Sequence, residues 1–141
     1  NAQQIPAYEY PPEHGPRSPS FSRATIVTNG EQRLVFVSGT AAIKGHATIA
    51  PGELEVQLTC TLDNLRIISR AAELGTALGR GGAWHRHFKV YVRRPADYVA
   101  IRTRLERELI APGDRVIYLR ADICRAALLV EIEATLVAEP R

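Results

Sequence analysis

The 141-residue sequence contains no methionine, only two cysteines, and no apolar run of the roughly 20 residues that a membrane-spanning helix requires. Cys60 and Cys124 lack the spacing of a zinc site or a disulfide framework, so we expect a reducing, cytoplasmic setting. The N-terminus has no charged-then-apolar signal pattern. The absent initiator methionine and the abrupt start at Asn1 are compatible with a fragment of a larger parent protein.

The chain carries charges of both signs, and the excess of positive charge is small. The formal net charge is +3, from 18 lysines and arginines and 15 acidic residues spread along the chain. This balance is weak support for nucleic-acid binding and fits a small anionic ligand equally well, so we expect no nucleic-acid or membrane partner. With 45% apolar residues, a chain of this length predicts one domain with a sizeable core.

The order of elements predicts an α+β fold. Residues 1–20 are rich in proline and predict an extended arm, and residues 21–141 predict one domain. Within it, Asn29-Gly30 predicts a tight hairpin turn. A long helix follows, with Pro51 in its first turn and Gly75 at its C-terminal cap. Strand, helix, strand and strand complete a β-β-α-β-α-β-β order, with both helices on one face of the sheet.

Alternation along the strands predicts which residues share a face. The apolar rows expected beneath the helices are Phe88, Val90, Val92, Ile117, Leu119, Val130 and Ile132. The opposite face then carries Lys89, Tyr91, Tyr118, Arg120, Glu131 and Glu133. Such a mixture of charges, hydroxyls and apolar groups is compatible with a solvated face, and equally with a face half covered by another subunit or domain.

Four stretches, in chain order, resemble the RidA/YjgF family over about residues 22–138. They are "LVFVSGTA", "QLTCTLDNL", "HFKVYVRRPADYVAIRTRLERELI" and "VEIEATLVA". The resemblance implies a ferredoxin-like or chorismate-mutase-like α+β domain. It also implies a partner: a homotrimer with clefts between subunits, or packing against another RidA-like domain.

Further stretches resemble one branch, the C-terminal catalytic half of the chorismatases, including 3-hydroxybenzoate synthases and the pteridine-dependent dioxygenase-like proteins. They are "GPRSPSFSRA", "FVSGTAAIKGH" and "YLRADICRAALLVEIEA". Those enzymes remove the enolpyruvyl group of chorismate and give pyruvate plus either a hydroxybenzoate or a dihydroxycyclohexadiene carboxylate. Chorismatases usually carry a further RidA-like domain upstream, and this sequence does not contain it.

Glu131 is the predicted catalytic acid. Cleavage of an enol ether needs an acid that protonates the methylene carbon, and a carboxyl in an apolar-lined cleft holds its proton to higher pH. The resemblance places the chorismatase catalytic glutamate at the same position. The competing interpretation is a carboxylate paired structurally with a nearby arginine. Glu133 is predicted to be structural or supporting.

Binding of a dianion calls for cations and hydroxyl groups near that acid. Arg120 is favoured because its predicted parity puts it on the glutamate face, and Arg125 precedes the last strand, where a solvated arginine is equally compatible. Tyr118 is a candidate for orienting a substrate hydroxyl, or for packing alone. Lys89 is a weaker candidate on the same face.

The end of the first hairpin supplies further candidates. Ser38, Gly39 and Thr40 end a predicted strand and offer backbone donors, or simply a tight connection. Cys124 fits a small buried hydrophobe. In the resembled family a cysteine there accompanies the hydroxybenzoate-forming type, whereas Ala41 resembles the hydrolytic type, so both products remain open.

No cofactor or metal is expected. His85 and His87 share a strand face and His46 lies in a loop, but no third ligand stands at metal-site spacing. Arg17 and Arg23 flank the arm, where they either reach an anion or remain solvated.

Two alternatives to chorismate cleavage remain. The first is 2-imino acid deamination as in RidA, which needs a strand arginine. Arg115 is nearest to the required spacing, and its predicted position on the helix face counts against it unless a bulge restores the parity. The second is a non-catalytic module that binds a small metabolite.

Overall fold

A computed structural model describes residues 3–79 and 84–138. Over these ranges seven strands and two helices form the predicted α+β class: β1 Ala24–Asn29, β2 Gln32–Thr40, β3 Ile43–Lys44, β4 Ala47–Thr48, α1 Leu54–Ala71, β5 Trp84–Val92, α2 Tyr98–Glu108, β6 Arg115–Arg120 and β7 Val130–Ala138. Five strands form one sheet in the order β1-β2-β7-β5-β6, and β3 and β4 form a small separate hairpin that was not predicted. Only the β5–β6 pair is parallel among these strands.

The local turn chemistry agrees with the predicted hairpin and differs at the ends of α1. Asn29 pairs with Gln32 across the β1–β2 turn, and Gly30 has a φ of +58°, which a residue without Cβ adopts at little cost. The first helix is shorter than predicted. Pro51 lies in a turn before α1 instead of in its first turn, and Gly75 lies beyond its last residue, Ala71.

The core lies between the two helices and one face of the sheet. Its buried members from the helices include Leu58, Leu62, Leu65, Ile101 and Leu105. The sheet contributes Val35, Phe88, Val90, Val130 and Ile132, which confirms the inner rows predicted for β5 and β7. Because each of these strands buries one row, the row of opposite parity, with Lys89, Tyr91, Glu131 and Glu133, lies on the open face.

The prediction for β6 is wrong in its parity. Val116 and Tyr118 pack on the core, whereas Ile117 and Leu119 are 46% and 37% exposed. Both rows of this edge strand are apolar, so alternation alone does not distinguish them. The parallel register with β5 decides which row faces the core, because it pairs Tyr118 with the core residue Val90.

This register moves three predicted side chains. Arg120 pairs with Val92 and, like Tyr118, leaves the glutamate face. Arg115 has the parity of Ile117 and lies on the open face, so the parity argument against deamination is also wrong.

Residues before β1 pack against the β3–β4 hairpin. Gln4, Ala7 and Tyr10 are buried, and Nε2 of Gln4 donates to the carbonyl of Ile43 at 3.0 Å. Two short 3-10 turns, Ala7–Glu9 and Pro12–His14, interrupt the predicted extended arm. The division of the chain at residue 20 stays a prediction, and its outer bounds lie outside the described residues. No helix in the described ranges is long and apolar enough to cross a membrane.

Candidate active site

A cavity of about 410 Å³ opens where the N-terminal segment crosses the ends of β2 and β7. Its charged or titratable lining groups are Arg17, Arg23, Arg125, His14, Cys124 and Glu131. Tyr10, Phe21 and Ile43 add apolar surface. The cavity therefore surrounds one carboxyl group with three guanidinium groups and an apolar wall.

Glu131 reaches this cavity because β2 contains a bulge. Val37 pairs with Ala134 and Thr40 with Ile132, so the two residues between them on β2 face one on β7. Gly39 lies in the bulge, and a Cβ added there would lie 2.7 Å from Cδ of Glu131. Only a glycine lets the carboxyl pack this closely on the backbone of β2.

The environment of Glu131 favours its protonated form. Burial raises the pKa of its carboxyl above the ordinary value, and the negative charge of Glu133 raises this pKa further. Arg23 acts in the opposite direction and lowers it. No hydrogen bond or ion pair joins the Glu131 carboxyl to another residue in the described ranges. The direction of this shift agrees with the prediction, and in the described ranges the competing interpretation of a structural ion pair finds no partner for the carboxyl.

Two of the arginines are held in place by aromatic rings and backbone. Nη1 of Arg125 donates to the carbonyl of His46 at 2.5 Å, and its guanidinium lies 5.3 Å from the ring centroid of Tyr10. Nη2 of Arg23 donates to the Tyr10 hydroxyl, and its guanidinium lies 4.6 Å from the Phe21 ring centroid. Both cations are therefore pre-positioned at the cavity wall.

Cys124 lines the cavity beside Glu131 with part of its side chain open to solvent. Burial raises the pKa of its thiol, and the Glu131 carboxylate raises it further, while Arg125 opposes the shift. A thiol held in its neutral form is a poor nucleophile. Its position and charge state favour a role in shaping the cavity.

Comparison with known proteins places this geometry in context. No protein-family model matches the chain. It is 42% identical over 140 residues to a 3-hydroxybenzoate synthase from Streptomyces hygroscopicus, covering 94% of this chain and 41% of that protein. It is 39% identical over 138 residues to a chorismatase from Streptomyces rapamycinicus, again covering 94% of this chain and 41% of the relative.

A chorismatase crystal structure superimposes with a TM-score of 0.81 at 34% identity, covering 96% of this chain and 42% of that one. The chain is related in sequence to a segment of the chorismatases and shares the fold of the RidA/YjgF proteins. The Escherichia coli YjgF structure, with a TM-score of 0.62 at 18% identity, covers 97% of this chain and 94% of that one and shows the shared fold alone. This chorismatase-like domain thus spans less than half the length of the curated relatives that it matches.

The structure brings five of the predicted site residues together in the chorismatase-like domain. Gly39, Ala41, Cys124, Arg125 and Glu131 all line the cavity. Their roles stay predictions, but their convergence requires β2, β7 and the segment before β7 to meet at one point.

Four other predicted residues do not line this cavity. Thr40 is fully buried and donates to the carbonyl of Ser38 at 3.0 Å. Lys89 is on the open face but pairs with Glu133 at 2.8 Å, two residues along β5 from Tyr91, which lies opposite Glu131. Tyr118 packs edge-on against Tyr98 at 5.2 Å on the helix face, and Arg120 follows it on the same row.

Sequence reasoning missed the polar side chains that position the cavity wall. Nδ2 of Asn64 donates to the carbonyls of Ala41 and Ile43 at 2.9 and 3.0 Å. Gln57 donates to the carbonyl of Ala127 at 2.8 Å and accepts from the backbone N–H of Leu129. The signal was available, since both residues fall on the buried leucine stripe of α1, where an amide needs specific partners.

Arg93 fixes the loop before β7 from the other side. Its guanidinium donates to the carbonyls of Leu128, Ile123 and Arg125 at 2.7, 2.8 and 3.2 Å. These bonds hold the loop that carries Cys124 and Arg125 against β5. Nothing in the alternation of β5 distinguishes this arginine from the solvent-exposed Arg94 beside it.

Proposed function

We propose that this chorismatase-like domain removes the enolpyruvyl group of chorismate and releases pyruvate, with Glu131 as the catalytic acid. One observation carries the proposal: a carboxyl with a raised pKa lies in a cavity of about 410 Å³ together with three arginines. A cavity of this volume is within the range of small-molecule sites. The named activities of the relatives support the same reaction.

The chemistry needs one acid and one oxygen nucleophile. Glu131 donates its proton to the terminal methylene carbon of the enol ether, which leaves an oxocarbenium ion stabilised by the ether oxygen. Addition of water gives a hemiketal that collapses to pyruvate and a dihydroxycyclohexadiene carboxylate. Attack by the neighbouring ring hydroxyl instead gives a cyclic ketal. Loss of the ring proton beside the ether oxygen, with cleavage of the bond from the ring to the attacking oxygen, makes the ring aromatic. The resulting hemiketal collapses to pyruvate and hydroxybenzoate with no net uptake of water. In both routes a proton returns to Glu131.

The arginines supply binding for the two carboxylates of such a substrate. Arg23 and Arg125 are held at the wall by Tyr10, and Arg17 lies on the same cavity. Guanidinium groups bind carboxylates in a planar, two-point geometry, so fixed arginines also orient the substrate. In this proposal they fill the carboxylate-binding role that was predicted for Arg120.

Deamination of a 2-imino acid is less well supported. Arg115 lies on the open face, but it pairs with His87, whereas Glu131 pairs with Tyr91. Four residues along the strand and two strands across the sheet separate Arg115 from Glu131 by roughly 16 Å. One small substrate does not bridge that distance within a single chain.

The open face supports a partner of the same fold. Phe36, Val27, Ile117 and Leu119 expose between 37% and 46% of their surface there. We propose that another RidA-like domain, in a homotrimer or in a longer parent chain, covers this face. Light scattering should detect an assembly of this chain that Phe36→Glu and Ile117→Glu dissociate, and a monomer would exclude the homotrimer.

The reaction is tested by incubating the purified chain with chorismate and following pyruvate. We expect pyruvate release that Glu131→Gln abolishes, and product analysis then separates hydroxybenzoate from the diene acid. Turnover of 2-iminobutanoate without pyruvate would instead establish deamination. Binding of chorismate without turnover would establish a binding module.

Both free cysteines, Cys60 and Cys124, agree with the cytoplasmic location that we propose.

A further inference from the structure

Two histidines and a carboxylate converge at the mouth of the cavity. Glu13 and His14 belong to the 3-10 turn Pro12–His14, and His46 lies in the turn between β3 and β4. Nε2 of His14 lies 3.0 Å from Nδ1 of His46. Oε1 of Glu13 lies 3.3 Å from the first nitrogen and 3.2 Å from the second. Three potential ligand atoms therefore form a nearly equilateral triangle.

The size of this triangle matches the coordination geometry of zinc. Ligand atoms at about 2.0–2.1 Å from a tetrahedral zinc ion are separated from one another by about 3.3 Å. The three observed distances lie within about 0.3 Å of that value. The spacing of the three ligand atoms therefore permits one ion to contact all of them.

We propose that Glu13, His14 and His46 bind a divalent transition-metal ion, Zn²⁺ by their chemistry. Imidazole nitrogen and carboxylate oxygen are the ligands that zinc accepts, and three protein ligands leave a fourth position for water. The sequence prediction of no metal site considered His46 with His85 and His87, which lie on β5. It did not consider Glu13 and His14, which are far from His46 in the chain.

Metal binding would fasten the N-terminal segment to the β3–β4 hairpin. Both histidines also adjoin the cavity. His14 lines it, and the carbonyl of His46 accepts a hydrogen bond from Arg125, which lines it. An ion at this point therefore stiffens the wall that holds Arg125. The proposal rests on the geometry of the three ligands and not on the proposed reaction.

A direct hydrogen bond between the two imidazoles, with Glu13 as acceptor, is the competing account of the same distances. It predicts no affinity for metal. The two accounts are separated by titrating the full, tag-free, metal-free chain with Co²⁺, whose tetrahedral complexes absorb visible light, and with Zn²⁺ by calorimetry.

We expect one ion to bind per chain, with tetrahedral Co²⁺ absorption that Zn²⁺ displaces. His14→Ala and His46→Ala should each weaken binding at least about tenfold, and Glu13→Gln should weaken it less. His87→Ala, a histidine on β5 outside the cluster, should bind as the unmodified chain does. Circular dichroism verifies that each variant is folded.

A second readout reports on the segment itself. Zn²⁺ should slow proteolysis before β1 in the unmodified chain and in His87→Ala, but not in His46→Ala. No saturable binding, or binding that survives His14→Ala and His46→Ala unchanged, would overturn the proposal. Neither result depends on turnover of chorismate, so the metal site and the proposed reaction fail separately.

Discussion

Glu131 and Glu133 lie two residues apart on the same face of β7, yet their carboxyl groups are in opposite electrostatic states. Glu133 accepts from Lys89 at 2.8 Å and from the Tyr91 hydroxyl at 3.0 Å, and the Lys89 bond lowers the pKa of its carboxyl. Glu131 lies in the cavity, where burial raises its pKa. One carboxyl is therefore kept ionised and the other is kept ready to hold a proton.

The difference comes from what covers each side chain and not from the strand that carries both acids. The Glu133 side chain is open to solvent and has a cation, Lys89, opposite it on β5. The Glu131 side chain is covered by the bulge of β2, by the N-terminal segment and by the loop before β7. Environments that give two identical groups different pKa values are a general way of preparing one of them as an acid.

The largest expected effect comes from replacing each glutamate in turn. Glu131→Gln removes the proton donor, and we expect kcat for pyruvate release to fall about 10²- to 10⁴-fold. Glu133→Gln is the matched control on the same strand and face, and it should cost less than about tenfold. Steady-state assays with chorismate measure both. Equal losses in the two variants would remove the distinction between the acids.

A smaller loss is expected from Gly39→Ala. The added methyl group overlaps the Glu131 carboxyl, so the acid must turn away from the bulge. We expect kcat to fall about tenfold or more, because small misplacement of a catalytic group costs that much. Gly79→Ala is the control, since the nearest atom that its methyl group meets among the described residues is the carbonyl oxygen of Thr76 at 3.4 Å. Wild-type kcat in Gly39→Ala would contradict the close packing.

A shift in the pH profile should follow when the neighbours of Glu131 are changed. Glu133 raises the pKa of Glu131, so Glu133→Gln should move the alkaline limb of kcat to lower pH. Arg23 lowers the same pKa, so Arg23→Gln should move the limb to higher pH, together with a raised KM. Shifts of the same sign in both variants would show that the limb belongs to another group.

The smallest expected effect is on stability. Because the folded-state pKa of Glu131 is raised, the carboxyl stabilises the fold only while protonated, and this contribution is lost as pH rises through the folded pKa. Relative to Glu131→Gln, the unmodified chain should lose unfolding free energy as pH rises from the ordinary glutamate pKa of about 4.3 through the raised pKa of Glu131. Urea denaturation at several pH values measures the difference, and parallel curves would count against a raised pKa.

Alternation along β7 was sufficient to predict that Glu131 and Glu133 share the open face, because only one of its rows is apolar. It was insufficient for β6, where Ile117 and Leu119 compete with Val116 and Tyr118 for the core. There the parallel register with β5 decides, and register depends on contacts across the sheet.

The cavity itself needed information that no strand pattern contains. Arg17, Arg23 and Tyr10 reach it through the path of the N-terminal segment, and proline content alone does not indicate where such a segment packs. Asn64 and Gln57 were more accessible to prediction. A polar amide on the leucine stripe of α1 indicates a buried hydrogen-bond anchor, although not which loop it holds.

Carbon-13 NMR titration of the side-chain carboxyls, assigned with Glu131→Gln and Glu133→Gln, tests the central claim most directly. We expect Glu131 to titrate above the ordinary glutamate value of about 4.3 and Glu133 below it. Two carboxyls with the same pKa, or the reverse order, would contradict the account of Glu131 as the acid of this site.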